Sequence, residues 1–175
     1  MPKHNITLNN SLQYKGTKTS IDILKELYLK DNKKTYPSLP DYARSIPLFT
    51  DKTANGLTKC IITFIALKKG QAERINCTGR IIDKRINSID NFGRKCTIGS
   101  QTYIKTSGQR GTADISATIK GRSVKIEVKI GKDRQSEVQK QYQKSIEASG
   151  GLYFIAKNLN SFIDWYRLIF ESDGK

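Results

Sequence analysis

The sequence contains a single histidine, His4, among its 175 residues. Histidine is the side chain that most often serves as a general base or metal ligand near neutral pH. His4 lies in a polar N-terminal stretch without apolar periodicity, so we expect it to belong to a tail. Chemistry that needs histidine is therefore nearly excluded, and any catalysis must depend on carboxylates, lysine and a bound metal.

Cysteine is also scarce. The chain has three, and no pair of them has the CxxC spacing. An odd count without paired spacing argues against a zinc site and against a disulfide framework. We expect Cys60, Cys77 and Cys96 to be reduced thiols, mostly buried.

Long apolar runs are absent as well. The longest spans residues 60–67, whereas a helix that crosses a bilayer needs about 20 apolar residues. The polar N-terminus is not followed by the apolar core of a secretory signal. These absences predict a protein without a membrane segment that stays in the cytosol of its cell or host.

Acidic residues are outnumbered almost two to one. The chain has 31 Lys and Arg residues against 16 Asp and Glu, which gives a formal net charge of +15 and a pI of 9.8. An excess this large favours a polyanionic partner, first of all nucleic acid. On charge alone, a ribosomal-type or merely soluble basic protein is the alternative.

The patterning divides the chain into an N-terminal appendage, residues 1–50, and a main domain, residues 51–175. In the appendage, Thr19 and Asp22 have the spacing of a helix start, and three prolines indicate an irregular connection. Residues 79–110 carry scattered glycines and several cations. We interpret them as an insertion that contains a hairpin and could hold substrate.

The main domain is predicted from its apolar periodicity to run helix, strand, insertion, strand, strand, helix, strand, helix. A tight turn at Gly121 joins the two strands after the insertion. This order predicts an α/β domain with a mixed central sheet. The predicted ranges are 55–69, 72–78, 112–119, 123–130, 136–149 and 152–156, with a final amphipathic helix around Trp165.

Two carboxylates, Asp114 and Glu127, and the ammonium of Lys129 are the strongest candidates for chemistry. Glu127 and Lys129 are two residues apart on a predicted strand, so both project from one face. The hairpin at Gly121 returns Asp114 alongside them. Two hard oxygen ligands suit Mg²⁺ or Mn²⁺, and the lysine can hold or deprotonate a water and offset phosphate charge. Alternatively, Lys125, Glu127 and Lys129 form only the solvated face of an amphipathic strand.

Three segments together resemble the PD-(D/E)XK nuclease superfamily, and within it the VRR-NUC group. They are Gly111-Thr112-Ala113-Asp114, Ile126-Glu127-Val128-Lys129 and Ser136-Glu137-Val138-Gln139. The resemblance covers roughly residues 55–160 and is sharpest over 108–156. It implies a restriction endonuclease-like αβββαβ core, with a mixed central sheet flanked by helices and an N-terminal helical appendage.

The resemblance also implies roles for single residues. Asp114 and Glu127 would coordinate Mg²⁺ or Mn²⁺, with the backbone carbonyl of Val128 as a third ligand. Lys129 would position the attacking water, and Gln139 would support the site from its helix. A second interpretation of Gln139 is open, because its spacing from the preceding serine is that of a capping box.

One position departs from the superfamily pattern. Members commonly place an acidic residue on the helix before the first strand, and here the matching position is Asn55. An amide brings no charge, which puts a second metal site in doubt. Glu73, on the following strand, is the nearby acid that could substitute.

Seven cations are predicted to hold the phosphates of DNA without reading its sequence. They are Lys105, Arg110, Lys120, Arg122, Lys125, Lys132 and Arg134. For each of them taken alone, a solvated surface charge is the better explanation. Three aromatic residues of the last strand and helix, Tyr153, Trp165 and Tyr166, are expected in the core rather than against bases.

The resemblance implies hydrolysis of DNA phosphodiester bonds, at junctions or flaps, in phage or mobile-element replication, recombination or packaging. Two alternatives are a nuclease-like domain that binds DNA without cutting it and a basic virion or nucleoid structural protein. A homodimer is attractive because a four-way junction requires two cuts. The final helix around Trp165 is the candidate interface.

Overall fold

The order of helices and strands follows the alternation of apolar and polar residues along the chain. The computed structural model describes residues 18–75, 79–104, 109 and 111–172. A short 3-10 turn at Asp41–Ala43 follows the first helix. In chain order the elements are α1 (Ser20–Thr35), α2 (Ala54–Leu67), β1 (Gln71–Arg74), β2 (Arg80–Asp83), β3 (Ile86–Ile89), β4 (Lys95–Ile98), β5 (Gln101–Ile104), β6 (Ile115–Ile119), β7 (Arg122–Val128), α3 (Glu137–Ala148), β8 (Leu152–Ala156) and α4 (Leu159–Phe170).

The central sheet has four strands in the order β1-β6-β7-β8. The β1–β6 and β6–β7 pairs are antiparallel, and β8 pairs with β7 in parallel after the chain has crossed over through α3. The mixed sheet with its helices confirms the predicted α/β class. The chain turns between β6 and β7 at Lys120 and Gly121, both of which have positive φ, as a two-residue hairpin with the natural strand twist requires.

The two faces of the sheet differ in chemistry. One face carries apolar residues such as Ile115, Ile126 and Val128, which are buried in the main core. Helices α2 and α4 cover that face, where Trp165 stacks on Phe154 with ring centroids 4.7 Å apart. Burial of Tyr166 in the same cluster bears out its expected place in the core.

The opposite face is polar and is partly covered by α3. Residues on β6 and β7 alternate, so Ser116, Lys125 and Glu127 project away from the apolar core. Tyr153 of β8 lies on this polar face too, where its ring contacts Tyr142 of α3. The candidate site is built on this face.

Helix α1 begins as predicted, since Thr19 and Asp22 form a complete capping box. Leu24 is fully buried and Phe49 nearly so, and both belong to the same cluster as the sheet. The first helix of the predicted appendage therefore shares the core of the main domain. It packs against α2 and α4.

Element boundaries differ from the predicted ones by a few residues. Helix α2 ends at Leu67 and not at 69, because Lys69 itself adopts the left-handed conformation with φ 64°. β6 begins at Ile115, three residues later than predicted, and β7 ends at Val128. Both shifts have one consequence: Asp114 and Lys129 lie just outside the strands, at the same end of the sheet.

Candidate metal-binding active site

Asp114 occupies the junction between β1, β6 and β7. Its carboxylate Oδ2 accepts a hydrogen bond from the Val128 amide at 2.8 Å, and its carbonyl accepts one from the Ile75 amide at 2.8 Å. The side chain is only partly buried. The first contact joins the start of β6 to the end of β7, which brings Asp114 to Glu127 as the hairpin prediction requires.

Glu127 is the most deeply buried charged side chain described, with 2% of its surface exposed. Its Oε1 accepts a hydrogen bond from Gln139 Nε2 at 2.6 Å and lies 3.1 Å from Lys129 Nζ. Its Oε2 is buried and has no hydrogen-bond partner. A buried carboxylate oxygen left unpaired is costly and rare in folded proteins, so this oxygen is placed to accept a further partner such as a cation.

The electrostatic surroundings of Glu127 disfavour its charge. Burial raises the pKa of Glu127, the nearby Asp114 carboxylate raises it further, and the ammonium of Lys129 offsets only part of that shift. A cation beside Oε2 would act in the opposite direction and favour the ionised form. The two carboxylates therefore have the electrostatics of a cation site.

Lys129 is 8% exposed and bridges two carboxylates. Its Nζ is 3.1 Å from Glu127 Oε1 and 3.3 Å from Asp133 Oδ2. Burial lowers the pKa of Lys129, but the hydrogen bonds and charges of Glu127 and Asp133 outweigh that effect and leave the pKa raised. Lys129 is therefore an ammonium ion, suited to holding a water or a phosphate oxygen and poorly suited to removing a proton.

The side chain of Gln139 makes the contacts of both interpretations at once: it caps helix α3, and it bonds to Glu127. Its Oε1 accepts from the Ser136 amide at 3.0 Å, and Ser136 Oγ accepts from the Gln139 amide at 3.3 Å, which completes a capping box. Its Nε2 remains free to donate to Glu127. A glutamine has both a donor and an acceptor end, so one residue fixes the start of α3 and the orientation of the Glu127 carboxylate.

The predicted cations are divided between two ends of the sheet. Lys125 lies on the site's face and donates to Ser116 Oγ at 2.5 Å. Lys132 and Arg134 are exposed in the loop that follows Lys129. Lys105 and Arg110 lie outside the described residues.

Lys120 and Arg122 are placed away from the site, contrary to their closeness in sequence. They flank the β6–β7 turn, six residues before Val128, and a strand rises about 3.3 Å per residue, so some 20 Å separates them from the carboxylates. Lys120 Nζ donates to the Phe170 carbonyl, and the Arg122 guanidinium lies 5.8 Å from the Phe170 ring centroid. The strand therefore carries them to the far end of the sheet, away from the carboxylates, and their contact with DNA stays a prediction.

Asn55, which stands at the position expected to carry an acid, already has a hydrogen-bond partner. Asn55 Oδ1 accepts a hydrogen bond from Arg74 Nη2 at 2.8 Å. Glu73 is exposed on β1, beside Ser116. Within the described ranges, no three His, Cys, Asp or Glu side chains form a group able to hold a metal. A metal bound by Asp114 and Glu127 would complete its shell with backbone oxygen, water and substrate phosphate, as Mg²⁺ commonly does.

Two residues of the site were not predicted there: Asp133 was missed from the sequence, and Tyr153 was expected in the core but lies half-buried on the polar face. Asp133 follows Lys129 by four residues and pairs with it, a contact that an irregular loop gives no pattern to predict. Tyr153 pairs in register with Lys125 on the site's face. Burial raises the pKa of the Tyr153 hydroxyl well above its usual value, and the charge of Glu127 adds to the shift.

No model of a known protein family matches the chain, and no characterised protein matches its sequence. Among the described residues, no helix is both long enough and apolar enough to cross a membrane. The two thiols described, Cys60 and Cys96, are free, and only Cys60 is fully buried, while Cys77 lies outside the described residues. The geometry around Glu127 is therefore the feature that points to a function.

Proposed function

We propose that this protein is a metal-dependent DNA nuclease that hydrolyses phosphodiester bonds, with a VRR-NUC-type site of the PD-(D/E)XK superfamily. One observation carries the proposal. Glu127 Oε2 is buried without a partner, while its other oxygen is held by Gln139 and Lys129. A carboxylate oriented by two donors with one oxygen unsatisfied is arranged to receive a cation.

The order and pairing of elements support the same proposal. From α2 to β8, leaving out the insertion, the chain runs αβββαβ. This is the order expected of a restriction endonuclease-like core. Asp114 precedes the second core strand and Glu127 lies near the end of the third, so the two candidate ligands meet at one end of the sheet.

The residues present fit Mg²⁺ or Mn²⁺ better than a softer metal. Asp114 and Glu127 offer carboxylate oxygens, the Val128 backbone offers a carbonyl oxygen, and no described histidine or cysteine is involved. When bound, the metal supplies a water of lowered pKa and neutralises charge on the phosphate. Lys129 then contributes a fixed ammonium that holds the water or a phosphate oxygen, and Gln139 keeps the Glu127 carboxylate in place.

The substrate class follows from charge and from the resemblance. Lys125 lies on the site's face of the sheet, and Lys132 and Arg134 are exposed in the loop that follows Lys129, so all three can neutralise phosphates. Branched DNA in phage or mobile-element replication, recombination or packaging is the substrate that the resemblance favours. A homodimer would supply the two active sites that a four-way junction requires.

The test compares plasmid and branched DNA cutting in Mg²⁺ or Mn²⁺ by the wild type, Glu127→Gln and Lys129→Ala. The matched control is Glu137→Gln, because Glu137 is an exposed α3 carboxylate paired only with Lys140 among the described residues. We expect cutting by the wild type and the control, and a loss of about a hundredfold or more in both site variants. Absence of cutting by the wild type on every substrate would refute the nuclease proposal. Cutting that survives both site substitutions would refute the site.

A further inference from the structure

Strands β2 to β5 form one long antiparallel ribbon within the insertion. β2 pairs with β5, and β3 pairs with β4. Both pairs of strands keep the same register, because Phe92 lies midway along the chain between the two residues of every pair. Lys84 bonds to Ser100 across the short break between them. From Arg80 to Ile89 the ribbon extends about 30 Å at some 3.3 Å per residue.

Gly99 shows that the break is built into the ribbon. Its φ is 112°, and a Cβ there would lie 2.4 Å from the Lys84 carbonyl oxygen. Only glycine fits so close an approach between the two strands. The interruption of the ladder therefore has a defined place, and the same register continues beyond it to Phe92.

The ribbon has no partner among the described residues. Its strands pack on one another and make no substantial contact with the other helices and strands. Ile81, Ile86 and Ile89 are each more than 60% exposed. An isolated two-stranded ribbon is only marginally stable in water, so these residues are expected to gain a partner.

The tip presents an aromatic ring on a fixed turn. Asp90 Oδ1 accepts hydrogen bonds from the amides of Phe92 and Arg94, at 2.9 and 2.8 Å. The Arg94 guanidinium lies 5.4 Å from the Phe92 ring centroid, and Phe92 is 83% exposed. The turn thus holds an apolar wedge outward next to a cation.

The charge of the ribbon selects the class of partner. Residues 79–104 contain five cations and two carboxylates, a net of +3. Asp83 pairs with Arg85 and Asp90 with Arg94, which leaves Arg80, Lys84 and Lys95 without an ion pair to any other described residue. Two such ribbons from two copies of the chain would bring like charges together, whereas a nucleic acid would neutralise them.

We infer that the ribbon is a duplex DNA-binding arm that lies along a groove and inserts Phe92 between base pairs. The major groove of duplex DNA is wide enough to admit a two-stranded ribbon. Apolar side chains that insert between base pairs and unstack them are a known means of bending DNA. The inference deepens the proposed function, because it assigns the insertion to holding that enzyme's substrate.

The arm is attached close to the candidate site. Gly79 is four residues after Ile75, a span of at most about 14 Å, and the Ile75 amide bonds to the Asp114 carbonyl. Duplex DNA held by the arm would therefore pass near the carboxylates. Distortion of its stacking by Phe92 would favour substrates that are already branched or unpaired, since these cost less to unstack.

The wedge is tested with the full chain in EDTA, where no cutting can occur, on a duplex that contains 2-aminopurine. The fluorescence of 2-aminopurine rises when its stacking is broken. We expect a several-fold rise with the wild type and with Phe92→Trp, and no rise with Phe92→Ala. Tyr42→Ala is the matched control, because Tyr42 is 94% exposed but lies outside the arm. A rise that persists in Phe92→Ala would overturn the wedge.

The cations are tested by salt-dependent binding to the same duplex. The arm variant replaces Arg80, Lys84 and Lys95 by alanine, and the control replaces Lys30, Lys34 and Lys59, three exposed lysines elsewhere. We expect about tenfold weaker binding and a salt slope reduced by roughly 2 to 3 for the arm variant, since each phosphate contact contributes about 0.9. Equal weakening by both variants would overturn the arm as a specific DNA contact.

Two further outcomes separate this inference from its alternatives. If sedimentation shows a wild-type dimer that Phe92→Ala dissociates while DNA binding is unchanged, the ribbon is a protein interface and the inference is overturned. Because the binding assays need no metal, arm effects in a protein that never cuts DNA would refute the nuclease proposal and leave the arm intact.

Discussion

Glu127→Gln should make the metal-free protein more stable and remove its response to Mg²⁺. The substitution keeps the shape of the side chain and the acceptor oxygen for Gln139 and Lys129, but it removes a buried charge. Because the folded-state pKa of Glu127 is raised, the folded protein binds this proton more tightly than the unfolded chain does. The stabilising effect of that proton is complete below the unfolded pKa and is lost as the pH rises through the folded pKa.

The expected gain near pH 7.5 is about 1 kcal/mol. Leaving a buried group unsatisfied costs roughly 1–3 kcal/mol, and more when the group is charged, so the neutral amide nitrogen that replaces Oε2 costs less to bury than the charged oxygen does. Lys129 loses part of its attraction when the charge is removed, although it keeps Asp133 at 3.3 Å. For a domain of this size, 1 kcal/mol corresponds to a rise in melting temperature of about 2–4 °C.

Thermal unfolding measured in EDTA and in Mg²⁺, near pH 7.5 and near pH 4, tests the reasoning. The difference between Glu127→Gln and the wild type should shrink towards pH 4, because that is below the ordinary pKa of glutamate and the side chain is then mostly protonated in both states. Mg²⁺ should stabilise the wild type by about 2.7 kcal/mol at a hundredfold excess over Kd, and should not stabilise the variant. A variant less stable than the wild type in EDTA at pH 7.5 would show that the carboxylate is structural. A variant that still responds to Mg²⁺ would refute Glu127 as a ligand.

Three further predictions concern neighbouring residues. Gln139→Glu should retain the cap of α3 in its circular dichroism but abolish cutting by repelling Glu127, whereas Gln139→Ala should also lose about 1 kcal/mol of cap stability in thermal unfolding. Lys129→Ala should destabilise the protein by about 3 kcal/mol in denaturant unfolding, because it leaves a buried carboxylate without its cation, and restored stability in Lys129→Arg would separate charge from geometry. Lys120→Ala and Arg122→Ala should leave the cutting rate within about twofold of the wild type, and a larger loss would contradict their placement at the far end of the sheet.

Local signals in the sequence predicted the parts of the fold that local physics determines. The alternation along Val124, Ile126 and Val128 assigned one face of β7 to the core, and it placed Glu127 on the other. The Ser136 and Gln139 spacing predicted the start of α3. In each case the relevant partners lie within four residues, so spacing alone carries the information.

Sequence patterns did not predict the contacts between segments that are distant along the chain. Leu24 and Phe49 lie in the core with the sheet, yet nothing near them in sequence identifies that partner. Arg122 is five residues from Glu127 in the chain, but an extended strand turns this short separation into a long distance. Closeness in sequence predicts closeness in space only where the chain turns back on itself.

The sequence supports a capping role and a site role for Gln139 equally, because the side chain has both: it caps α3, and it donates a hydrogen bond to Glu127. A cap at Ser136 requires a side chain three residues later that accepts from its amide, and glutamate or glutamine can do so. Only glutamine has a further donor, and that donor is 2.6 Å from Glu127 Oε1. Glutamate would cap the helix but would place a third carboxylate beside Asp114 and Glu127, in a site whose charge is already unfavourable without a cation. The contact with Glu127, and not the helix cap, therefore explains why residue 139 is a glutamine and not a glutamate.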